Sequence, residues 1–335
     1  METNKNKNTK LSNIVNQCIL ALIIFLSTII NTALAQDKKI IAITQIVEHL
    51  SLEEAKRGII DELKSQGYIV GKNLEIIDKN AGGQIATSVL IAKQFIAQKP
   101  DVIVPISTPS AQSVISVLKQ NINDIPVVFS SVTDPIAAGL VSNMDRPLEN
   151  ITGAIDFPLI AEEVELIKTL VPNVKKIGLL YSSGEANSVK TISLMKEALL
   201  KANIEYVEAS VVNSAGVAQG FLSLIGKVDA IYIPSDNVIF SAMSKLVQLS
   251  RTHKLPLFSS DPGSVKAGVT ACIGYSQYMV GKKAGELIAK TLKGERYLPI
   301  SKPTKTEIVI NKTSAKIINI EIKDNILNIK PQFVE

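Results

Sequence analysis

The 335-residue chain has no tryptophan, two histidines, two cysteines and an aromatic content of 4%. Each shortage removes a class of chemistry. His49 and His253, with Cys18 and Cys272, are too few for a His-rich or thiolate metal site, so no metal is expected. A Ser-His-Asp hydrolase would have to recruit one of those two histidines, and neither stands in a nucleophile-elbow context. No G-x-x-x-x-G-K-[ST] stretch cradles a nucleotide and no G-x-G-x-x-G opens a dinucleotide fold, so no cofactor is expected and the reading is of a non-enzyme. Charge is not concentrated either. The 36 basic and 31 acidic residues leave a formal net charge of +5, spread as mixed faces such as Glu53, Glu54, Lys56, Arg57, Asp61, Glu62 and Lys64. Such faces are solvated helix surface, and without a clustered basic patch no nucleic-acid partner is expected.

What is present begins at the amino terminus. Lys5, Lys7 and Lys10 precede an apolar run from Cys18 to Ile30, about 13 residues against the roughly 20 that span hydrocarbon, and Ala33-Leu34-Ala35 follows. That is the pattern of an export signal over residues 1–35, cleaved after Ala35 to free a periplasmic chain from Gln36; the alternative is a signal retained as an anchor. Cys18 stands at the front of the apolar run, behind Val15-Asn16-Gln17, out of place for a lipoprotein. The mature chain then keeps only Cys272, so no internal disulfide can form and stability must come from core burial.

From residue 40 onward, strand-length apolar runs alternate with amphipathic stretches. Ile40 to Ile46 reads as a strand and Leu52 to Gln66 as a helix; Leu74 to Asp78, Val102 to Ile106 and Val127 to Phe129 read as strands, with helices Ala86 to Gln98 and Ser110 to Gln120 between them. The rhythm restarts near Lys175, with strands at Ile177 to Tyr181, Tyr206 to Ser210 and Ala230 to Ile233, and helices at Ser188 to Ala202, Val217 to Leu224 and Val238 to Thr252. This is the α/β class: two doubly wound parallel-sheet lobes joined by a hinge. The expected lobes are 37–155 with 277–296 and 156–276 with 297–335, the helix from Gln277 crossing back to the first and the Gly153 to Pro158 stretch forming one hinge. The halves also resemble each other: Pro105-Ile106-Ser107-Thr108 leads to a helix and then Pro126-Val127-Val128-Phe129-Ser130-Ser131, as Ile233-Pro234-Ser235-Asp236 leads to Pro256-Leu257-Phe258-Ser259-Ser260.

Open α/β sheets bind ligands beyond the carboxyl ends of their strands, so the strand-to-helix turns are the candidate site. In the first half Thr108 and Ser110, and at the next turn Ser131, Thr133 and Asp134, offer hydroxyls beside helix starts, whose unpaired N–H groups suit a carboxylate. In the second half Glu185, Ser235, Asp236, Asn237 and Asp261 stand at the corresponding turns, and their acids suit an ammonium group. Each residue taken singly could be no more than a helix cap. Together the two chemistries fit a zwitterion, with Asp236 set opposite Thr108 by the repeat.

Thr44-Gln45-Ile46-Val47-Glu48-His49, Thr108-Pro109-Ser110-Ala111-Gln112, Val132-Thr133-Asp134-Pro135, Glu185-Ala186-Asn187-Ser188 and Val228-Asp229-Ala230-Ile231-Tyr232 with Asp236-Asn237 resemble the tryptophan/tyrosine type of ABC transporter substrate-binding protein. The resemblance runs in order from about residue 39 to Asn311. It implies a type I periplasmic binding fold, with lobes joined by three crossovers, and a monomer that captures a small polar ligand, an amino acid with aromatic ones in view, for a cognate ABC permease. It places the ligand turns at Thr108 to Gln112, Ser131 to Asp134 and Ser235 to Asn237. A departure is the scarcity of rings near those turns, Tyr181, Tyr275, Tyr278 and Phe157 being the stacking candidates. The alternatives are a ligand-sensing receptor subunit of the same fold and a hydrolase.

Overall fold

Short β-branched runs flanked by amphipathic helices become buried parallel strands, because only a sheet covered on both faces buries residues that are apolar throughout. In the computed structural model, which describes residues 38–335 except 122, 123, 324, 325 and 327, two such sheets form. The segment 1–35, read as an export signal, lies outside the described residues. Among those described, no helix is long and apolar enough to cross a membrane.

The first sheet contains β1 (Lys39–Gln45), β2 (Leu74–Asn80), β3 (Val102–Ile106), β4 (Val127–Val132) and β5 (Ile151–Ile155), all parallel, in the order β2-β1-β3-β4-β5. The second contains β6 (Lys176–Ser182), β7 (Glu205–Val211), β8 (Ala230–Ile233), β9 (Leu257–Ser259), β10 (Ala271–Tyr275), β11 (Thr306–Asn311) and β12 (Gln332–Val334), in the order β12-β11-β10-β9-β8-β6-β7. Counted from its own first strand, each lobe repeats the same arrangement, second strand outermost, then first, third, fourth and fifth. The second sheet is not wholly parallel: β11 runs antiparallel to β10, because the chain re-enters this lobe from the other side and meets β10 head to tail.

One core lies under the first sheet, where Ile41, Val104 and Phe129 meet Val280, Ala284 and Ile288 of the helix Gln277–Leu292. The second lobe has a cluster on each face of its sheet, one around Ile231, Leu257 and Cys272 and the other around Ile177, Tyr232 and Ile310. Two local expectations change. The stretch Val238 to Thr252 is two helices, Asn237–Phe240 and Met243–His253, and the break lets Phe240 face the space between the lobes while Leu246 and Val247 fill the core. The chain also stays with the first lobe as far as Ser301 instead of leaving at 297: Leu298 and Ile300 pack on its core, and Ser301 exchanges backbone hydrogen bonds with Gly153 and Ile155.

The helix Gln277–Leu292 lies on the helix Leu50–Ser65 at backbone distance. A Cβ on Gly281 would stand 1.9 Å from the Ala55 carbonyl oxygen, and one on Gly58 would stand 2.1 Å from that of Tyr278. Only glycine permits this approach, since a backbone carbonyl cannot swing aside as a side chain can. Gly281→Val should therefore cost about 2–3 kcal/mol, read as a lowered thermal midpoint by circular dichroism. Cys272 is fully buried in β10, and burial pushes its thiol well above the usual range. It should ignore a thiol reagent in the native protein and react completely once denaturant is added.

Candidate functional site

The carboxyl ends of both sheets face a common cleft, and the turns leaving β3, β4, β8 and β9 line it with His49, which precedes the helix Leu50–Ser65, and with Ser51 and Leu52 of that helix's first turn. About 330 Å³ of space, part of it open to solvent, lies along these walls. The lobes touch across it: Ser51 Oγ donates to Asp261 Oδ2, and His49 Nε2 meets Asn237 Oδ1 at 3.3 Å.

On the first-lobe side the helix Thr108–Gln120 starts at Ser107, not at a hydroxyl one residue later, so Ser107 is the counterpart of Asp236, which caps the helix after β8. Ser107 has φ 88 and ψ 155, a backbone region nearly restricted to glycine, and Ser131 after β4 has φ 55. Such conformations cost about 1–3 kcal/mol each and gather at binding sites, where the surrounding structure enforces them. Here Ser107 N donates to the Ser130 carbonyl at 3.0 Å, tying the two turns side by side. Thr108 Oγ1 accepts from Thr133 N at 3.4 Å, and Thr108, Ser131 and Thr133 all reach the cavity. Ser110 is buried behind them against Ser107 at 3.3 Å, off the cavity wall. Asp134 turns away, its Oδ1 accepting from Ile136 N and Ala137 N as an ordinary cap.

The second-lobe side is acidic. Asp236 accepts from Ser182 N at 2.6 Å and Ile239 N at 2.9 Å; Asp261 caps the helix Pro262–Lys266 through Gly263 N. Ser235 and Asn237 complete the wall. Glu185 stands one row back, where it accepts from Asn237 Nδ2 at 2.7 Å and Val238 N at 3.0 Å and so holds the β8 turn in place. Behind the β9 turn, Ser260 Oγ lies 2.7 Å from Tyr232 Oη, which donates to the buried Glu163.

Sequence reasoning missed Asp156, Gln277, Asn187 and Phe240, all on the cavity wall. Asp156 follows β5, at a strand's carboxyl end like the other site residues, and that placement was the available signal. It accepts from Gln277 Nε2 at 2.8 Å and from Thr133 Oγ1 at 3.4 Å, while Gln277 Oε1 accepts from Ser131 Oγ at 2.7 Å. Phe240 supplies the aromatic surface, edge-on to His49 with ring centroids 5.4 Å apart, and none of the four candidate rings named from the sequence lines the cavity. Tyr181 donates to Glu208 and Tyr278 to Asp61 outside the cleft, Phe157 is 38% exposed, and Tyr275 packs on the first core.

Among the described residues no lysine or arginine lines the cavity. Loss of water pushes the Asp156 carboxyl up to about 6. Burial and then the neighbouring charge of Glu185 push Asp236 up to about 7, and burial raises Asp261 as well. Burial moves His49 the other way, below its ordinary value. Among the described residues no group of three or more His, Cys, Asp or Glu is clustered to hold a metal ion.

Comparison with known proteins gives this architecture its place. A family model described as ABC transporter substrate binding protein matches residues 40–334. A tyrosine-binding protein of Clostridioides difficile is 39% identical over 300 residues, 88% of this chain and 86% of its own. Among solved structures, a conserved domain protein from Vibrio cholerae is 36% identical with a TM-score of 0.85, and a Streptococcus pneumoniae ABC domain in complex with L-Trp is 33% identical with a TM-score of 0.84; each match covers 89% of this chain and 100% of the other. A ligand-free, open substrate binding protein from Clostridium difficile, 34% identical and matched over 89% of this chain and 99% of its own, superposes less well, at 0.66. At nearly equal identity the better match is to the ligand-bound relative, in keeping with the contacts across the cleft. The chain belongs to the family of ABC transporter substrate binding proteins.

Proposed function

We propose that this protein captures an α-amino acid with an aromatic side chain between its lobes and, as a monomer in the periplasm after removal of residues 1–35, presents it to a cognate ABC permease. The observation that carries the reading is the make-up of the cavity wall: hydroxyls and a helix start on the first lobe, Asp236 and Asp261 with the ring of Phe240 on the second, and Asp156 at the crossover beside Thr133. The N–H groups at the start of the helix Thr108–Gln120 receive the carboxylate, because donors already held in place lose little freedom on binding, and Thr108, Ser131 and Thr133 join them, the last two exchanging their present acceptors, Gln277 and Asp156, for it. Asp236 and Asp261 receive the ammonium group, with Asn237 and Ser235 beside them, while Ser110, Asp134 and Glu185 keep the turns in shape. The relatives that bind tyrosine or L-Trp support the choice of side chain. The lobes turn about the three crossings after β5, after β10 and beyond Ser301, where few residues need to change conformation. In this reading binding is capture without chemistry.

L-Tyrosine or L-tryptophan should raise the thermal midpoint progressively with concentration, as mass action requires, and should be recovered unaltered after hours of incubation. No shift with either, or a new product in the chromatogram, would sink this reading. Asp236→Asn should weaken binding roughly ten- to a hundredfold in calorimetric titration, and Thr108→Val less, because backbone donors remain.

A further inference from the structure

The cleft has more acid than one zwitterion can neutralise. Asp156, Asp236 and Asp261 all reach the cavity, no lysine or arginine does, and among the described residues no ion pair is made to any of the three. Asn187 adds an acceptor: it is 4% exposed, lines the cavity, and its Oδ1 has no protein partner. The wall therefore demands donors and positive charge beyond what an amino acid with one ammonium and one carboxylate brings.

Resting on the function proposed above, we propose that the site selects net positive charge: a zwitterionic amino acid enters together with a proton that settles on a cleft carboxyl, and a monocation with the same side chain and a neutral carboxamide binds comparably without it. The geometry places that proton on Asp156 first. Its Oδ1 lies 3.4 Å from Thr133 Oγ1, the donor assigned to the ligand carboxylate, so an ionised Asp156 would stand close to a second negative charge. A protonated Asp156 removes that repulsion and becomes a donor. The proton comes from solvent and returns there when the cleft opens, so nothing is consumed.

The direction with pH follows from which form closure favours. Burial raises Asp156 to about 6, with Asp261 as its charged neighbour and Gln277 and Thr133 as its hydrogen-bond partners. Asp236 rises to about 7 beside Glu185. For Asp261, Ser51 and Lys266 pull against the rise. Groups raised on closure bind protons as the cleft shuts, so affinity for the zwitterion should climb as pH falls from about 7 toward 5. His49, facing Asn237, Glu185 and Glu53, works in the opposite sense because burial lowers it. His49→Gln removes that opposition.

The experiment is calorimetric titration of the full mature protein and of His49→Gln at pH 6.5 with L-tyrosine and with L-tyrosinamide, in two buffers of different ionisation enthalpy. The expected result is uptake of roughly half to one proton per tyrosine, a smaller uptake in Asp156→Asn, and an amide affinity within about tenfold of that for tyrosine. Tyrosine binding without net uptake in wild type and His49→Gln, or an amide weaker by more than about a hundredfold, would overturn the charge proposal while leaving the amino-acid reading intact. If neither compound produces heat or a thermal shift, and tryptophan with its amide gives the same result, the amino-acid reading falls and the charge proposal with it.

Discussion

Two helices with backbone against backbone decide where the cleft residues stand. The helix Gln277–Leu292 reaches the helix Leu50–Ser65 through Gly281 and Gly58, and no side chain separates them. The amino-terminal ends of both helices belong to the site: His49, Ser51 and Leu52 precede or open one, and Gln277 is the first residue of the other. A shift of one helix along its partner would move Ser51 from Asp261 and Gln277 from Asp156 and Ser131. The contact also ties the crossover after β10 to the first lobe, so it sets the point about which the second lobe can turn.

Around that frame, local capping chemistry and ligand chemistry use the same atoms. Asp236 and Asp261 satisfy the first N–H groups of short helices, and Ser107 and Ser131 accept unfavourable backbone angles to lay their turns side by side. These interactions are made before any ligand arrives, so the polar groups stand preorganised and a ligand loses less in ordering them. Glu185 and the Glu163–Tyr232–Ser260 chain serve the same end from behind the wall, fixing the β8 and β9 turns through buried hydrogen bonds.

The charge imbalance gives the cleft its character. Neutral donors can hold a carboxylate at a helix start without a guanidinium, whereas the second lobe and the crossover bring three carboxyls to a cavity that, among the described residues, no lysine or arginine lines. In water that surplus would cost little. Between closed lobes it raises the carboxyls, so the same closure that traps a ligand makes proton and ligand binding interdependent.

The alternation of apolar runs with helical periods determined the fold class, because period and strand length are local properties that a chain displays residue by residue. Thr108, Ser131, Thr133, Asp236 and Asp261 were legible for a similar reason: a hydroxyl or acid directly after a buried strand marks a turn at the carboxyl edge of a sheet. Phe240, Asn187, Gln277 and the pairing of Asp156 with Thr133 were not. Phe240 reaches the cleft because a helix breaks at Ser241, Gln277 because glycines in two distant helices let backbones meet, and Asp156 because a crossover strand lies beside the β4 turn. Ser110, Asp134 and Glu185 show the converse, since the residue types that cap a helix also suit a ligand, and only the direction in which a turn faces decides which of them reach the cavity wall. The sequence by itself determined the elements and their polarity; the tertiary structure alone decided which of them share the cavity, because that depends on packing between segments more than a hundred residues apart.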